Sequence, residues 1–598
     1  MRSLVLLLIA DLLVVAGAAG VTTLLRPART SDALVELGVL CAASVAGIEL
    51  AAAAAGALEP GVLLALAAAW ALAGAFAWRR GDALPRPPRL ALREHPWASA
   101  LVMLATVALL WRLVVSVVLP PYAYDALTYH LTIVFDWVRS GGLGVSDLSL
   151  CCARYPSNAE LMFAWNAVLT GSQTFVDTVE VGFALLGAVA VAALARTAAV
   201  PRAGAMAAGA LFACTPVLLA QGSTAYADVM IASVGLAGLH LVTRFAATGQ
   251  ARLLIPAGLA AGLLLGTKGT GIVWAAVLTV AVLVLVVRGR RRTVGAAGAF
   301  LAGLLALGAW WYVRNWIDTG NPVFPFRVSA AGTTIFRGPL RVSDVLTVPP
   351  GGPEPWPVSV VRAWVADLHF WTQRPYQYEQ RVGGLGPLWS WLGLPLLAPI
   401  VVVLVRRRSL ALLWLGLIAL VFLLAPYRWW SRFTIDLMAA GGVAIAASAA
   451  WAPRRWMRWV VQVAALLLAA AGVGLTSYAI DPAAHAHPVS ARRVLQLAKG
   501  RAADRTLGRV FFPEYRFLDR MPAAAAIVVD LRAPASRFTA PLFGAGLSRR
   551  VLPAGPGPPP RGAWLVTGAG RPLDRLARAR GYQLVSDVRG LHAWRPAR

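Results

Sequence analysis

The sequence predicts an α-helical polytopic membrane protein with about 14 transmembrane helices and a small α/β domain at its C-terminal end. Three observations support this prediction. Of the 598 residues, 59% are hydrophobic and only 14% are charged, which is more apolar than a soluble core requires. Apolar stretches long enough to cross a bilayer of roughly 30 Å recur along most of the chain. The tail 479–598 instead alternates short β-type runs with turns.

The predicted spans follow these apolar stretches. They cover approximately residues 3–25, 33–57, 60–78, 97–119, 174–197, 203–221, 226–246, 252–267, 269–287, 294–316, 385–405, 409–425, 433–451 and 457–478. An even number of spans places both chain ends on one side of the membrane.

Clusters of arginine predict how the spans are oriented, because cytoplasmic loops carry the excess of Lys and Arg. With fourteen spans, five clusters fall on one side: Arg79 to Arg93, Arg196 with Arg202, Arg288 to Arg292, Arg406 to Arg408, and Arg454 to Arg458. Loop 120–173, loop 317–384 and the tail then lie on the extracytoplasmic side. A cleaved signal peptide over residues 1–20 is the alternative, but it would move the first cluster to the outside.

The formal net charge of +28 does not by itself indicate a nucleic-acid-binding protein. Much of the excess lies in loops, where it sets the topology. The tail is also basic, with 20 Lys and Arg against 7 Asp and Glu. It could contact anionic lipid headgroups or a phosphorylated substrate, or it could simply be an arginine-rich soluble domain. Membrane lipid is therefore an expected partner, and nucleic acid is not.

The segment after the fourth span, "YDALTYHLTIVFDWVRSGG", places several ionisable residues beside the membrane. Its polar positions recur every three or four residues from Asp125 to Arg139, and apolar positions form the opposite stripe. This pattern predicts an amphipathic helix that lies along the outer membrane face and ends at Gly141. Asp125 begins the helix, either as an N-cap that accepts backbone N–H groups or as a functional carboxylate.

Two further charged residues lie at the external ends of later spans. Asp228, in "TAYADVMIASVGL", begins a span, and an ionisable residue at such a position is more often functional than one in a loop. Lys268, in "AGLLLGTKGTGIVW", lies in a glycine-rich turn between two spans. Either its aliphatic part lies in lipid while the ammonium group reaches the membrane surface, or the ammonium group binds an anion such as phosphate.

In their order along the chain, seven motifs resemble those of the GT-C superfamily of integral-membrane glycosyltransferases. They are "YDALTYH", "RYPSNAELM", "AYADV", "GLLLGTKG", "WWYVRNWIDTGNPVFPF", "GGLGPLW" and "RFTIDL". The branch to which they are most similar holds the bacterial protein O-mannosyltransferases and the lipid A aminoarabinose transferases. The resemblance covers roughly residues 97–450, so the first three spans and the tail lie outside it.

The resemblance implies a role for each matching residue. Such enzymes transfer a sugar from a polyprenyl-phosphate carrier to an acceptor on the extracytoplasmic face, with an Asp of the first external loop as catalytic base. That residue is Asp125 here. Asp228 would help to hold the acceptor or a cation. Lys268 and Arg432 would lie near the donor phosphate, although "RFTIDL" lacks the proline that usually follows this arginine.

The same motifs supply the remaining candidates. His130 in "YDALTYH", and Arg154 and Glu160 in "RYPSNAELM", are expected to bind substrate. No cofactor is firmly implied. Because the chain has no DxD pair, the resemblance leaves open whether a divalent cation is bound, and Asp125 and Asp228 would be its ligands.

Together these observations predict a polyprenyl-phosphate-sugar-dependent glycosyltransferase in the bacterial plasma membrane. Inverting transfer requires a carboxylate that takes a proton from the acceptor hydroxyl and cations that stabilise the departing phosphate. The acceptor would be a cell-envelope glycan, lipid or protein. No extended cytoplasmic segment could form a nucleotide-binding domain, so a lipid-linked donor is expected. A lipid-sugar flippase or transporter and a catalytically inactive scaffold are the alternatives.

The predicted organisation has three parts. Residues 1–96 form accessory transmembrane helices, residues 97–478 form the GT-C-like catalytic region with its two external loops, and residues 479–598 form the extracytoplasmic α/β domain. Strands are predicted in this domain near "AAIVVDL", "AWLVTG", "YQLVSDV" and "LHAWRP", with a helix near 571–580. The domain is expected to guide or dock the acceptor, or to serve stability alone.

Overall fold

The computed structural model describes residues 2–86, 94–149, 151–289, 294–330, 332–341, 343, 346, 354–372, 384–479 and 488–597. Within these residues the chain is mostly helical, with a bundle of apolar helices and a small β-containing unit at the C-terminal end. Five arginines of the predicted cytoplasmic clusters lie outside the described residues, namely Arg89, Arg93, Arg290, Arg291 and Arg292.

The helices of the first half follow one another with short connections. They are α1 (Arg2–Leu25), α2 (Thr30–Ala54), α3 (Pro60–Trp78), α4 (Pro96–Val118), α5 (Leu131–Ser140), α6 (Asn158–Thr170), α7 (Val179–Thr197), α8 (Arg202–Ala213), α9 (Pro216–Gln221), α10 (Asp228–Thr248), α11 (Leu254–Leu265), α12 (Gly269–Arg288) and α13 (Val294–Thr319). One π-helical turn, Ala126–His130, leads directly into α5.

The second half adds a small three-stranded sheet and further helices. The sheet consists of β1 (Phe326–Ala330), β2 (Thr333–Phe336) and β3 (Leu340–Arg341), with β1 in the middle. The helices that follow are α14 (Trp356–Ala366), α15 (Leu394–Arg406), α16 (Ala411–Leu424), α17 (Leu437–Trp451) and α18 (Arg455–Leu475).

Among the described residues, ten helices are long and apolar enough to cross a membrane. Three shorter apolar helices, α11, α16 and α17, correspond to further predicted spans. The predicted span 203–221 is broken, because α8 ends at Ala213 and a new helix begins at Pro216, whose nitrogen cannot donate a helical hydrogen bond. The multi-pass membrane fold is confirmed, whereas the exact number of crossings stays a prediction.

Small residues let neighbouring helices of the bundle approach closely. A Cβ atom added at Gly262 of α11 would collide with the backbone of α13 at Gly303 and Leu304. Close backbone approach of this kind drives helix association where lipid supplies no hydrophobic force. The contact fixes α11 against α13, and thereby the turn that follows α11.

The C-terminal unit contains a five-stranded sheet in the order β5–β4–β6–β8–β7. Its elements are α19 (Ala491–Lys499), α20 (Leu507–Val510), β4 (Ala526–Val529), β5 (Arg550–Pro553), β6 (Trp564–Gly568), α21 (Pro572–Ala579), β7 (Gln583–Val588) and β8 (Leu591–Arg595). β4 is parallel to β5 and β6, while β8 is antiparallel to β6 and β7. The four predicted strands and the predicted helix are confirmed. β5 was not predicted, because its short run ends in a proline.

The C-terminal unit packs directly on the segment that begins with Asp125. Oγ1 of Thr132 in α5 lies 2.7 Å from Oγ1 of Thr539. Three aromatic pairs add to this contact: Tyr122 with Phe511, Tyr124 with Phe538, and Phe135 with Phe543. The predicted helix is confirmed and ends at Gly141. Its polar face is not open, however, since polar residues such as Thr132 are buried under the C-terminal unit.

Candidate active site

Four charged side chains predicted from separate motifs meet at one end of the helix bundle. Asp125 precedes the π-helical turn, Asp228 begins α10, Lys268 precedes α12, and Arg432 lies in a short turn between α16 and α17. Nη1 of Arg432 lies 2.8 Å from Oδ2 of Asp125 and 3.7 Å from Oδ2 of Asp228. Nζ of Lys268 lies 3.5 Å from Oδ1 of Asp228. We call this arrangement the charged cluster.

The charged cluster is largely withdrawn from solvent. The side chain of Asp228 is 1% exposed, Arg432 is 8%, Lys268 is 13% and Asp125 is 17% exposed. Removing four charges from water is costly, and the mutual attraction of such groups seldom exceeds that cost by much. A buried ionic group at this position therefore has a better explanation in function than in stability.

The carboxylate of Asp125 makes no capping hydrogen bond, and the residue has the helical angles φ −64° and ψ −37°. An N-cap is normally extended and accepts a backbone amide. Instead, Oδ2 of Asp125 accepts from Arg432 and lies 3.4 Å from the donating hydroxyl of Tyr129. The backbone amide of Asp125 donates to the hydroxyl of Tyr226 at 3.2 Å. The N-cap interpretation of Asp125 is therefore wrong.

The environment of Asp125 keeps its carboxyl group ionised. Burial disfavours the charge, but Arg432 and then Lys268 favour it, and together they hold the pKa of Asp125 below its ordinary value of 3.8. Burial, reinforced by the negative charge of Asp125, raises the pKa of the Tyr129 hydroxyl well above its usual range. Tyr129 therefore stays protonated and donates to the carboxylate.

Neutral and aromatic residues complete the cluster, and sequence reasoning did not single them out. Nε2 of Gln221 donates to Oδ2 of Asp228 at 3.2 Å. The ring of Phe433 lies 4.7 Å from the Arg432 guanidinium and 5.2 Å from Nζ of Lys268, within the range of cation–π attraction. The only sequence signal for Gln221 and Phe433 is that each lies within seven residues of a cluster member.

A small cavity of about 10 Å³ lies beside the charged cluster. Its lining includes Asp228 and Arg432 together with Ile231, Trp274 and Val421, which come from three helices. Charged and apolar side chains thus meet at this point of the bundle.

Asn158 holds the turn that carries Lys268. The backbone amide of Asn158 donates to the carbonyl of Gly266 at 2.7 Å, and its side-chain amide donates to the carbonyl of Leu307 at 3.0 Å. Nε1 of Trp311 donates to Oδ1 of Asn158 at 2.8 Å. Three of the motifs, "RYPSNAELM", "GLLLGTKG" and "WWYVRNW", therefore form one hydrogen-bonded unit.

The three remaining predicted residues lie in two places. His130 and Glu160 form a buried pair, with Nδ1 2.7 Å from Oε1. Arg154 instead pairs with Asp318 at 2.7 Å, at the end of α13. Sequence reasoning thus identified the charged residues of the site, while their roles stay predictions.

The side chains of the cluster do not fit a resident divalent cation. The guanidinium of Arg432 lies between the two carboxylates that would be the ligands, Asp125 and Asp228. In the part of the chain that the structure describes, no group of three or more His, Cys, Asp and Glu residues is placed to hold a metal ion. Arg432 and Lys268 supply positive charge at this site.

The charged cluster and the arginine-rich loops lie at opposite ends of the same helices. α12 begins beside Lys268 and ends at Arg288, while α17 begins shortly after Arg432 and is followed by Arg454. Long apolar helices define a polytopic membrane protein, and the charged cluster lies at one end of its helix bundle.

The fold of the chain is similar to that of a solved protein, ArnT. ArnT from Cupriavidus metallidurans bound to undecaprenyl phosphate matches with a TM-score of 0.50 and 14% identity, over 84% of this chain and 98% of that one. The apo state of ArnT gives 0.47 and 14%, over 82% and 97%. The apo oligosaccharyltransferase of Archaeoglobus fulgidus gives 0.39 and 12%, over 76% and 64%. The fold assignment rests on the first match, and it confirms the predicted GT-C fold.

Sequence similarity is found with one family of predicted membrane proteins. The family described as "Predicted membrane protein (DUF2142)" matches residues 181–334, which include Asp228 and Lys268. No curated protein matches the sequence.

Proposed function

We propose that the protein is a glycosyltransferase that moves a sugar from a polyprenyl-phosphate carrier to an acceptor hydroxyl on the extracytoplasmic face of the membrane. The charged cluster is the observation that carries this proposal. It offers an ionised carboxylate, Asp125, beside two cations, Arg432 and Lys268, at a membrane-surface end of the bundle. A base and a phosphate-binding site are the two requirements of inverting transfer.

In the proposed step, Asp125 accepts the proton of the acceptor hydroxyl while the oxygen of that hydroxyl attacks the anomeric carbon of the donor sugar. The bond from that carbon to the phosphate oxygen breaks, and the phosphate leaves with the bonding electrons. Arg432 and Lys268 stabilise the charge that grows on the phosphate. Asp228, which contacts both cations, keeps them oriented.

Donor binding would also activate the base. Without donor, Arg432 holds Asp125 at 2.8 Å and makes the carboxylate a weak proton acceptor. A donor phosphate attracts the same guanidinium, so its arrival loosens the Arg432–Asp125 pair and raises the basicity of Asp125. Donor would therefore bind before transfer becomes possible.

The polyprenyl chain of the donor would stay in the lipid beside the bundle, while its phosphate binds at the charged cluster. ArnT, which has a matching fold, was solved with undecaprenyl phosphate bound, and this supports a donor of the same chemical class. The acceptor is a cell-envelope glycan, lipid or protein with a free hydroxyl group. Because the arginine-rich loops lie at the other end of the helices, the cluster and the C-terminal unit would face the extracytoplasmic side.

Transfer by the purified protein in lipid nanodiscs tests the proposal. A labelled polyprenyl-phosphate sugar is supplied with an envelope acceptor fraction, and Asp125→Asn serves as the matched inactive control. Label should move to the acceptor with the parent and not with the variant. Binding without transfer would indicate a scaffold, movement of the carrier between leaflets a flippase, and transfer from a nucleotide sugar a different donor.

A further inference from the structure

A second polar pair lies next to the charged cluster. Nδ1 of His130 and Oε1 of Glu160 are 2.7 Å apart, and the two side chains are only 2% and 5% exposed. The other two polar atoms of the pair, Nε2 of His130 and Oε2 of Glu160, are buried and have no hydrogen-bond partner among the described residues. A buried polar atom without a partner is costly, so it calls for an explanation.

The π-helical turn brings this pair to the base. In Ala126–His130 the amide of Leu131 donates to the carbonyl of Ala126, five residues earlier, so the turn is wider than in an α-helix. Asp125, Tyr129 and His130 then share one face. The Tyr129 hydroxyl lies 3.4 Å from Oδ2 of Asp125, and the Tyr129 ring lies 4.0 Å from the imidazole.

The protonation of the pair follows from its position. Glu160 lies in the first turn of α6, where the helix dipole favours a negative charge. A Glu160 carboxylate accepts the Nδ1 proton of a neutral imidazole, which fixes the tautomer and leaves a lone pair on Nε2. His130 is thus prepared to accept one proton, and Glu160 to stabilise the imidazolium that results.

We infer that His130 and Glu160 form a proton-release pair that regenerates Asp125 after each transfer, an inference that rests on the proposed function. Transfer leaves the acceptor proton on Asp125, beside an arginine that favours the ionised carboxylate. The proton moves from Asp125 to the buried imidazole of His130, and it leaves that imidazole for water that enters as the product departs. No bond between heavy atoms forms or breaks in this step.

Single and multiple turnovers separate this role from substrate binding. With enzyme in excess, His130→Gln should complete one transfer at the parent rate, because Asp125 is already ionised. In steady state it should be slower than the parent by about tenfold or more, a typical scale for losing a proton-transfer group. Glu160→Gln should likewise keep the single-turnover rate and lose steady-state rate. An equal loss in both regimes would overturn the inference in favour of substrate binding or structure.

The chain offers a matched control pair. His240 and Asp32 are also buried, at 3.0 Å, but lie on α10 and α2 away from the site. Along α10, His240 is about 18 Å from Asp228 at roughly 1.5 Å per residue. His240→Gln should lower thermal stability without separating the single-turnover rate from the steady-state rate. If His240→Gln lowers the steady-state rate relative to the single-turnover rate as much as His130→Gln does, the effect is not specific to His130.

A measurement on the resting protein keeps the inference independent of activity. Nitrogen NMR of ¹⁵N-histidine-labelled protein, with the His130 signal assigned by its loss in His130→Gln, should show a protonated Nδ1 and a bare Nε2. Glu160→Gln should abolish that preference. If the parent transfers no sugar, the proposed function fails. A protonated Nε2 with a bare Nδ1 would overturn the proton-release pair instead, whatever the activity.

Discussion

Nη1 of Arg432 lies 2.8 Å from Oδ2 of Asp125, although 307 positions separate the two residues in the chain. This ion pair joins loop 120–173 to the turn between α16 and α17. It also places the proposed base against a cation that a donor phosphate would attract. The consequences for activity can be tested at each member of the charged cluster.

Asp125→Asn should lower turnover by about 100-fold or more, because the amide cannot accept the acceptor proton. The shape of the side chain is kept, so folding and donor binding should change little. Turnover in nanodiscs and the melting temperature are measured together. Asp147→Asn, an exposed change in the same loop, is the control. Near-parent turnover of Asp125→Asn would remove Asp125 from the mechanism.

Arg432→Gln should move the acidic limb of the pH–rate profile to higher pH. In the parent, the depressed pKa of Asp125 keeps the base ionised until the pH falls below its ordinary value of 3.8. Without the guanidinium, burial dominates and raises that pKa, so the variant loses activity at mildly acidic pH where the parent does not. Arg432→Lys keeps the charge and should restore the limb toward its parent position. An unchanged acidic limb in Arg432→Gln would contradict the proposal that Arg432 lowers the pKa of the catalytic base.

Lys268→Met should weaken binding of the polyprenyl-phosphate donor about tenfold to 100-fold, the scale of one charged hydrogen bond. The methionine keeps the length and the apolar stem of the side chain but removes its charge. Donor and acceptor affinities are measured separately, and acceptor affinity should barely move. Arg288→Met, at the other end of α12, is the control. Parent-like donor binding and turnover in Lys268→Met would contradict the assignment.

Arg112→Met should destabilise the fold by about 3 kcal/mol or more, because several buried acceptors lose their donor. Arg112 is 1% exposed and donates to the carbonyls of Thr476 and Ala220 at 3.1 and 2.9 Å, as well as to the Ser223 hydroxyl. The melting temperature in detergent measures the loss. Met103→Ala, on the exposed side of α4, should have little effect. Equal losses of stability in the two variants would show that the hydrogen bonds of Arg112 do not stabilise the fold.

Single-cysteine labelling tests the orientation. Ser490→Cys should react with a membrane-impermeant maleimide on intact cells, since the C-terminal unit is proposed to lie outside. Arg290→Cys should react only after permeabilisation. The reverse pattern would place the charged cluster in the cytoplasm and exclude an extracytoplasmic acceptor.

The charged residues of the site could be predicted from the sequence because charge is rare in a chain of apolar helices. Asp228 and Lys268 stand out at the ends of spans, where burying a charge without a purpose is costly. Asn158 and Gln221 do not stand out, because neutral polar residues are common at helix ends. Their importance comes from the helices they join, which only the tertiary structure reveals.

The surroundings of Asp125 could not be predicted for a similar reason. The periodicity from Asp125 to Arg139 correctly indicates a helix, but it cannot say what covers the polar stripe. Thr132 is buried by Thr539, a residue 407 positions later. The pairing of Arg432 with Asp125 depends in the same way on contacts between distant segments.

Docking of the C-terminal unit on α5 also makes the surroundings of Asp125 depend on a distant part of the chain. Tyr124 and Thr132 are synthesised well before the residues that cover them, Phe538 and Thr539. Until those residues are made, the helix beside Asp125 has an open polar face. A chain that stops before Phe538 should therefore lack the contacts that cover this helix.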